Sequence, residues 1–230
     1  MALKTFPITP QEAIAGLTDG ATVMVGGFAG YGVPVHLMTA LRDSGLKGLT
    51  LITNDTVNLA AGKPSPAMLV EAGIIRKVIT SFPITGSVGA EIAKAEAMYR
   101  SGEVEVELVP QGTLAERIRC GGAGIPAFYT PTGAGTPFAT GKDTRDFNGE
   151  LQVLETALHA DVALVRASVA DRMGNLVFRR TAKNYNPIMA AAATVTVAEV
   201  DTLVSAGELD PEAVGAAVVF VDRIYLRPKP

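Results

Sequence analysis

The sequence has one cysteine, two histidines and no excess of positive charge, and each scarcity removes a class of function. Cys120 alone cannot close an internal disulfide or supply a Cys-x-x-Cys metal site, which points to a reducing compartment; it reads as a small packed residue rather than a reactive thiol. His36 and His159 have no partners at metal-ligand spacing, and no Gly-x-Ser-x-Gly elbow is present. Both therefore read as structural, and no metal is expected. A net charge of -3 offers no basic excess for nucleic acid or an anionic membrane. Nowhere do about 18 apolar residues run together, and Met1 to Pro10 lacks the cationic start and apolar stretch of a secretory signal. The expectation is a cytoplasmic protein that handles a small molecule.

What is present is core-forming material: 230 residues, 48% of them hydrophobic, enough for one domain over 1–230. Apolar runs at Ala21 to Gly27, Leu49 to Thr53 and Lys77 to Phe82 read as buried parallel strands, and Asp161 to Ser168 and Thr194 to Val200 repeat the pattern. Val104 to Val109 alternates acidic and apolar residues. Between the runs lie helical candidates: Thr9 to Leu17, Pro34 to Ser44, Thr113 to Cys120 with Thr113 and Glu116 spaced as a capping box, and an alanine-rich stretch after Pro187. The alternation predicts an α/β fold, an open, mainly parallel sheet with helices on both faces. Asn148-Gly149 predicts a small antiparallel hairpin between Thr144 to Phe147 and Glu150 to Glu155. Gly121 to Gly141 is read as a long glycine-rich irregular segment.

Three features fall after successive strands. Gly26-Gly27-Phe28-Ala29-Gly30-Tyr31-Gly32-Val33-Pro34 joins a buried strand to a helix, where glycines let backbone approach a ligand and the helix start offers free N–H groups. Its spacing matches neither Gly-x-Gly-x-x-Gly nor a P-loop, so it serves either as a structural turn or as an anion or oxyanion loop. Asn54-Asp55 follows the second strand and Gln111-Gly112 the fourth; singly, such residues are turn formers or caps. In an open parallel sheet the carboxyl ends of strands face the binding crevice, so the three should converge. Arg166, Arg172, Arg179, Arg180 and Lys183 form a basic run that either meets phosphates or is a solvated face, with the solvated face as the default.

Asp19-Gly20 followed by ATVMVGGFAGYGVP resembles the signature of the alpha subunit of family I coenzyme A transferases, the 3-oxoacid group. Further resemblances follow in order at Leu51 to Asp55, Val109 to Arg119, Thr130 to Gly133, Asp171 to Leu176 and Ala182 to Pro187. The resemblance implies transfer of CoA from an acyl-CoA to a carboxylic acid at a site shared with a beta subunit, in an alpha2beta2 assembly. CoA and acyl-CoA would be substrates, with no permanently bound cofactor. It implies that the nucleophile is a glutamate in a Ser-Glu-Asn-Gly context on the beta subunit. Glu91, Glu116 and Glu155 of this chain lie in other contexts, so no nucleophile is expected here. It places Asn54 and Gln111 near the thioester and Gly26, Gly27, Phe28, Gly30 and Gly32 in a substrate or CoA loop. Relatives often carry Asn-Asn where this chain has Asn54-Asp55, and Asp55 is expected to repel an incoming carboxylate. The alternative is a sugar-phosphate isomerase-like or ligand-binding relative of the same fold, which should need a lysine or arginine where Asn54 and Gln111 stand.

Overall fold

The computed structural model describes residues 4–56, 64–83 and 94–228. Its strands are β1 (Thr22–Val25), β2 (Leu49–Ile52), β3 (Ile75–Thr80), β4 (Glu105–Leu108), β5 (Ala127–Thr130), β6 (Thr144–Phe147), β7 (Glu150–Thr156), β8 (Ala160–Asp171), β9 (Leu176–Val177), β10 (Ala193–Val204) and β11 (Arg223–Leu226). The helices are α1 (Pro10–Ala13), α2 (Val35–Arg42), α3 (Ala67–Glu71), α4 (Lys94–Ser101), α5 (Gln111–Ala123) and α6 (Asn186–Ala191).

Among the described residues the large sheet runs β11-β10-β8-β1-β2-β3-β4, with β9 paired antiparallel to β8 and every other pairing parallel. The register sets Val23 opposite Leu51 on one side and Val162 on the other. Successive side chains leave a strand on opposite faces, so apolar runs such as TVMV and LTLI feed two cores at once. On one face Val23, Val25, Leu49 and Leu51 pack with Leu37, Leu41, Leu69 and Met98 of α2, α3 and α4. On the other, Met24, Ile52 and Ala163 pack with Leu114 and Ile118 of α5 and Met189 of α6. Each such side chain, fully withdrawn from water, contributes about 1.5–3 kcal/mol. The expected open α/β sheet with helices on both faces is what forms.

Several local expectations are corrected. The capping box forms at α1, where Thr9 Oγ1 accepts from Glu12 N–H and Glu12 reaches back to Thr9 N–H. None forms at Thr113 and Glu116. Pro110 is extended (ψ 138) and its carbonyl accepts from Leu114 N–H at 2.8 Å, so the helix starts at Gln111 and Thr113 is buried within the first turn. Glu116 pairs instead with Arg119 at 2.7 Å. Gly121 and Gly122 do not open an irregular segment either. A Cβ on Gly121 would stand 2.0 Å from the Leu158 carbonyl oxygen and one on Gly122 2.8 Å from the Ala191 methyl, so these glycines let α5 pack closely; the helix ends past them at Gly124 (φ 70). The Asn148-Gly149 hairpin forms, both residues being left-handed (φ 58 and 86), and β5 joins it in a three-stranded sheet ordered β5-β7-β6. No described helix is long and apolar enough to cross a membrane.

Candidate active site

β1 is the central strand from which the chain order diverges: β2, β3 and β4 lie to one side, β8, β10 and β11 to the other. The loop after β1 therefore sits at the topological switch point, where ligand crevices form in open parallel sheets. Gly26 N–H donates to Leu164 O at 2.9 Å, continuing the pairing with β8. Phe28 and Tyr31 then exchange two backbone bonds (3.0 and 2.9 Å) around Ala29 (φ 50) and Gly30 (φ 81), a two-residue turn with both central residues left-handed. For Ala29 that conformation is unusual, and it is held by a bond from its N–H to Asp55 Oδ2 at 2.9 Å. Gly26 and Gly32 press on the fully buried Asn186: a Cβ on Gly26 would fall 2.0 Å from Asn186 Oδ1, and one on Gly32 2.8 Å from its Nδ2.

Asp55 links this loop to the next strand. Its Oδ2 also accepts from Asn54 Nδ2 at 2.8 Å, and Asn54 Oδ1 accepts from Gln111 Nε2 at 2.8 Å. Thr80 Oγ1 donates to the Asn54 carbonyl at 2.9 Å, fixing the backbone at the end of β2. A continuous chain, Gln111 to Asn54 to Asp55 to Ala29 N–H, thus joins the start of α5, the tip of β2 and the glycine loop. The three strand-end features converge as the sheet's topology requires.

The convergence revises two readings. Asn54 is 1% exposed while Gln111 is half-buried, so Gln111 is the amide with accessible surface and Asn54 stands behind it as an orienting group. Against the expectation that it repels an incoming carboxylate, Asp55 is 4% exposed and turned inward onto two N–H donors. The missed residue is Tyr185, whose hydroxyl donates to the Gln111 carbonyl at 3.1 Å. Burial and the nearby Asp55 charge push its phenol up to about 12, so it remains a neutral donor. Asn186 was also missed. It donates to Gly32 O (3.0 Å) and Ala182 O (2.9 Å) and accepts from Arg166 N–H (2.9 Å), bracing the loop from below. Both lie in the Ala182 to Pro187 stretch, which carried the family resemblance but was given no site role.

Elsewhere, Cys120 is buried and its thiol is pushed up by burial and by Glu116, so it is not a thiolate. His36 Nδ1 lies 3.3 Å from Tyr225 Oη in a packing contact. Among the described residues no group of three or more His, Cys, Asp or Glu side chains is placed to hold a metal ion. Glu116 and Glu155 are committed to Arg119 and to Arg117 and Lys142; Glu91 lies outside the described residues. Neutral amides backed by a buried acceptor suit the stabilisation of a developing oxyanion, since they donate without ion-pairing to an attacking carboxylate.

Comparison with known proteins identifies the family. Residues 8–227 match the coenzyme A transferase family. The chain is 47% identical over 213 residues to the A subunit of 3-oxoadipate CoA-transferase from Pseudomonas putida, covering 93% of this chain and 89% of that protein. It is 50% identical over 221 residues to the A subunit of succinyl-CoA:3-ketoacid coenzyme A transferase from Xanthomonas campestris pv. campestris strain B100, covering 96% and 88%. A solved acyl-CoA transferase from E. coli O157:H7, in a thioester complex with CoA, superposes with a TM-score of 0.81 at 20% identity, covering 98% of this chain and 50% of that one. This chain therefore spans about half of that larger protein.

Proposed function

From the membership of this chain in the coenzyme A transferase family, we propose that it is the alpha-type subunit of a 3-oxoacid CoA-transferase, working with a beta-type partner in the cytoplasm. The pair would move CoA between an acyl-CoA, such as succinyl-CoA or acetoacetyl-CoA, and a carboxylic or 3-oxo acid. The observation that carries the reading is the hydrogen-bonded chain from Gln111 through Asn54 and Asp55 to Ala29 N–H. It offers neutral donors at the crevice, and its only carboxylate is already occupied. That is half of an acyl-transfer site: it lacks a free nucleophile. That relatives 47% and 50% identical are themselves subunits supports the other half arriving on a second polypeptide.

In the proposed mechanism the partner's glutamate, expected in a Ser-Glu-Asn-Gly context, attacks the thioester carbonyl and CoA thiolate leaves as an acyl anhydride forms. The thiolate then attacks the glutamyl carbonyl, releasing the carboxylate and leaving a glutamyl-CoA thioester. The acceptor acid runs the sequence in reverse. Each step passes through a tetrahedral oxyanion. One well-placed donor is typically worth about 10² to 10³ in rate, and Gln111 Nε2, with one N–H held by Asn54 and one left over, is the donor we assign. CoA enters as substrate, and an alpha2beta2 assembly is the arrangement in which two such shared sites form.

The test is reconstitution with the beta-type partner and assay of CoA transfer from succinyl-CoA to acetoacetate. The single chain should be inactive and the mixture active; a full rate from the single chain would refute the shared site. In the active mixture Gln111→Ala should lower turnover by about 10² while assembly persists. Unchanged turnover would remove Gln111 from the mechanism.

A further inference from the structure

The other side of the glycine loop carries a second feature. Between the loop and the carboxyl half of β8 opens a groove of about 780 Å³, lined by Phe28 to Gly32, Arg166 to Ser168, Arg179 to Ala182 and Asp201. It lies where β1 and β8 part company, the connection from β1 leading towards β2 and that from β8 towards β10. Arg166, Arg179 and Arg180 thereby line one groove together with a single carboxylate, Asp201. Arg166 donates to Asp201 Oδ1 at 2.7 Å, and the same oxygen takes Arg227 at 3.2 Å, so that acid is already shared by two arginines. Arg179 and Arg180 are exposed, and neither side chain has an ion pair or hydrogen bond among the described residues.

The segment bearing them is fixed to the loop. Asn184 Nδ2 donates to Tyr31 O at 3.0 Å, Asn186 Nδ2 donates to both Ala182 O and Gly32 O, and a Cβ on Gly32 would stand 3.0 Å from Ala182 Cα. Arg180 is itself left-handed (φ 52), a conformation that a long side chain keeps only where its surroundings impose it. An exposed face of mobile cations needs no such anchoring.

We propose that this groove holds the phosphate groups of the CoA nucleotide, with Arg179 and Arg180 as the anion-binding side chains. The assignment rests on the CoA-transferase reading above. Phosphate is favoured over a substrate carboxylate because the two free guanidiniums lie at an open rim. There a single ion pair is screened and weak, whereas the pyrophosphate and 3′-phosphate of CoA engage several arginine forks together. The floor of the groove, Ala167 and Ser168, is small, and Phe28 and Tyr31 add exposed ring surface (41% and 54%) to its wall.

The experiment uses the two-chain complex carrying Arg179→Ala and Arg180→Ala together. The KM for the CoA ester should rise about 10-fold or more and lose much of its salt dependence, while the KM for the acid acceptor stays at the wild-type value. With a pantetheine thioester, which lacks the nucleotide, variant and wild type should not differ. An unchanged KM for the CoA ester overturns the proposal. So does a rise in KM for the acid acceptor, which would mark a carboxylate site, or an equal loss with the pantetheine thioester. If the complex proves inactive, which would count against the function and not against the groove, calorimetric titration with 3′,5′-ADP decides. Binding weakened about 10-fold in the double variant supports the site, and equal binding or none to the wild type refutes it. The pair Arg179→Lys and Arg180→Lys, which keeps the charge, should recover part of the affinity; no recovery over the alanine variant refutes phosphate binding by these cations.

Discussion

Replacing Asp55 tests whether the site is held together as the geometry implies. Asp55 Oδ2 is the shared acceptor for Asn54 Nδ2 and Ala29 N–H, in a pocket where the residue is 4% exposed. Asp55→Ala strands both donors. At about 1–3 kcal/mol for each buried unsatisfied group, the loss is ~2–6 kcal/mol, and the bond that holds Ala29 in its left-handed conformation goes with it. Asp55→Asn keeps an oxygen at the same position, so both bonds survive in neutral form and the loss should be only about 2 kcal/mol. Function should follow the same order. Asn54 orients Gln111, and a displacement near 1 Å at a reacting centre costs roughly 10² in rate, so Asp55→Ala should lower turnover by about that factor and Asp55→Asn far less. Urea titration of each variant and kcat of each reconstituted complex give the two series. An alanine variant within about 0.5 kcal/mol of wild type, with normal turnover, would show that the chain of bonds is not what positions the amides. An asparagine variant worse than alanine would show that charge, not acceptance, is what the position supplies.

Three further outcomes follow from buried groups. Arg117 is 7% exposed and bonds to Thr156 O and Glu107 (both 2.8 Å); Glu107 and Glu155 keep Lys77 (2.9 Å) and Lys142 (2.5 Å), so Arg117→Met chiefly strands the Thr156 carbonyl and should cost about 1–3 kcal/mol in denaturant melts. A loss below about 0.5 kcal/mol would mean that the carbonyl is satisfied without the guanidinium. Glu199 is fully buried, its Oε2 accepting from His36 and Leu37 N–H (2.8 and 3.2 Å) while Oε1 has no partner among the described residues, and burial raises its pKa against those bonds and the charges of His36 and Arg166. A raised folded-state pKa means the native state holds the proton more tightly than the unfolded chain. The associated stability is therefore present in acid and declines as pH rises above the ordinary carboxylate range; Glu199→Gln should flatten that decline, and identical pH slopes would refute it. Gly26→Ala should destabilise by about 3–5 kcal/mol, because Asn186, against which the new methyl collides, can yield only by breaking its bonds to Arg166 N–H, Gly32 O and Ala182 O. A normal melt would mean the loop is not braced from below.

The parallel strands were readable because strands covered on both faces are nearly continuous apolar runs, and β1, β2 and β8 are of that kind. β11 was not: RIYL is short, follows two 3-10 turns and acquires meaning only against β10. The errors have one physical source, a local rule overridden by a distant partner. A glycine pair normally stops a helix, yet α5 runs through Gly121 and Gly122 because Leu158 and Ala191 need their missing side chains. Thr113 and Glu116 have capping spacing, yet Pro110 starts the turn three residues earlier. An aspartate beside a carboxylate chemistry looks repulsive, yet Asp55 spends its charge on an N–H 26 residues upstream.

The same logic explains why the meeting of these residues was legible in sequence while their contacts were not. Location follows from topology: any polar residue after a parallel strand must emerge at the carboxyl edge, so Asn54, Gln111 and the glycine loop had to meet. Role depends on which hydrogen atoms are left over once the meeting has occurred, and that is settled by angstroms. Asn54 and Gln111 carry identical chemistry, but Asn54 is covered and gives its oxygen to Gln111, so of the two only Gln111 keeps accessible surface. The arginines make the complementary point. In sequence they are a diffuse basic run; in space β8 and the 3-10 turn at Arg180–Lys183 set them beside the loop, with Asp201 paired to Arg166 and Arg227. One loop then separates neutral donors on the β2 side from unneutralised cations on the β8 side. That division suits a substrate whose reacting carbonyl is uncharged and whose handle is polyanionic, because an arginine beside the carbonyl would instead pair with the attacking carboxylate and blunt it.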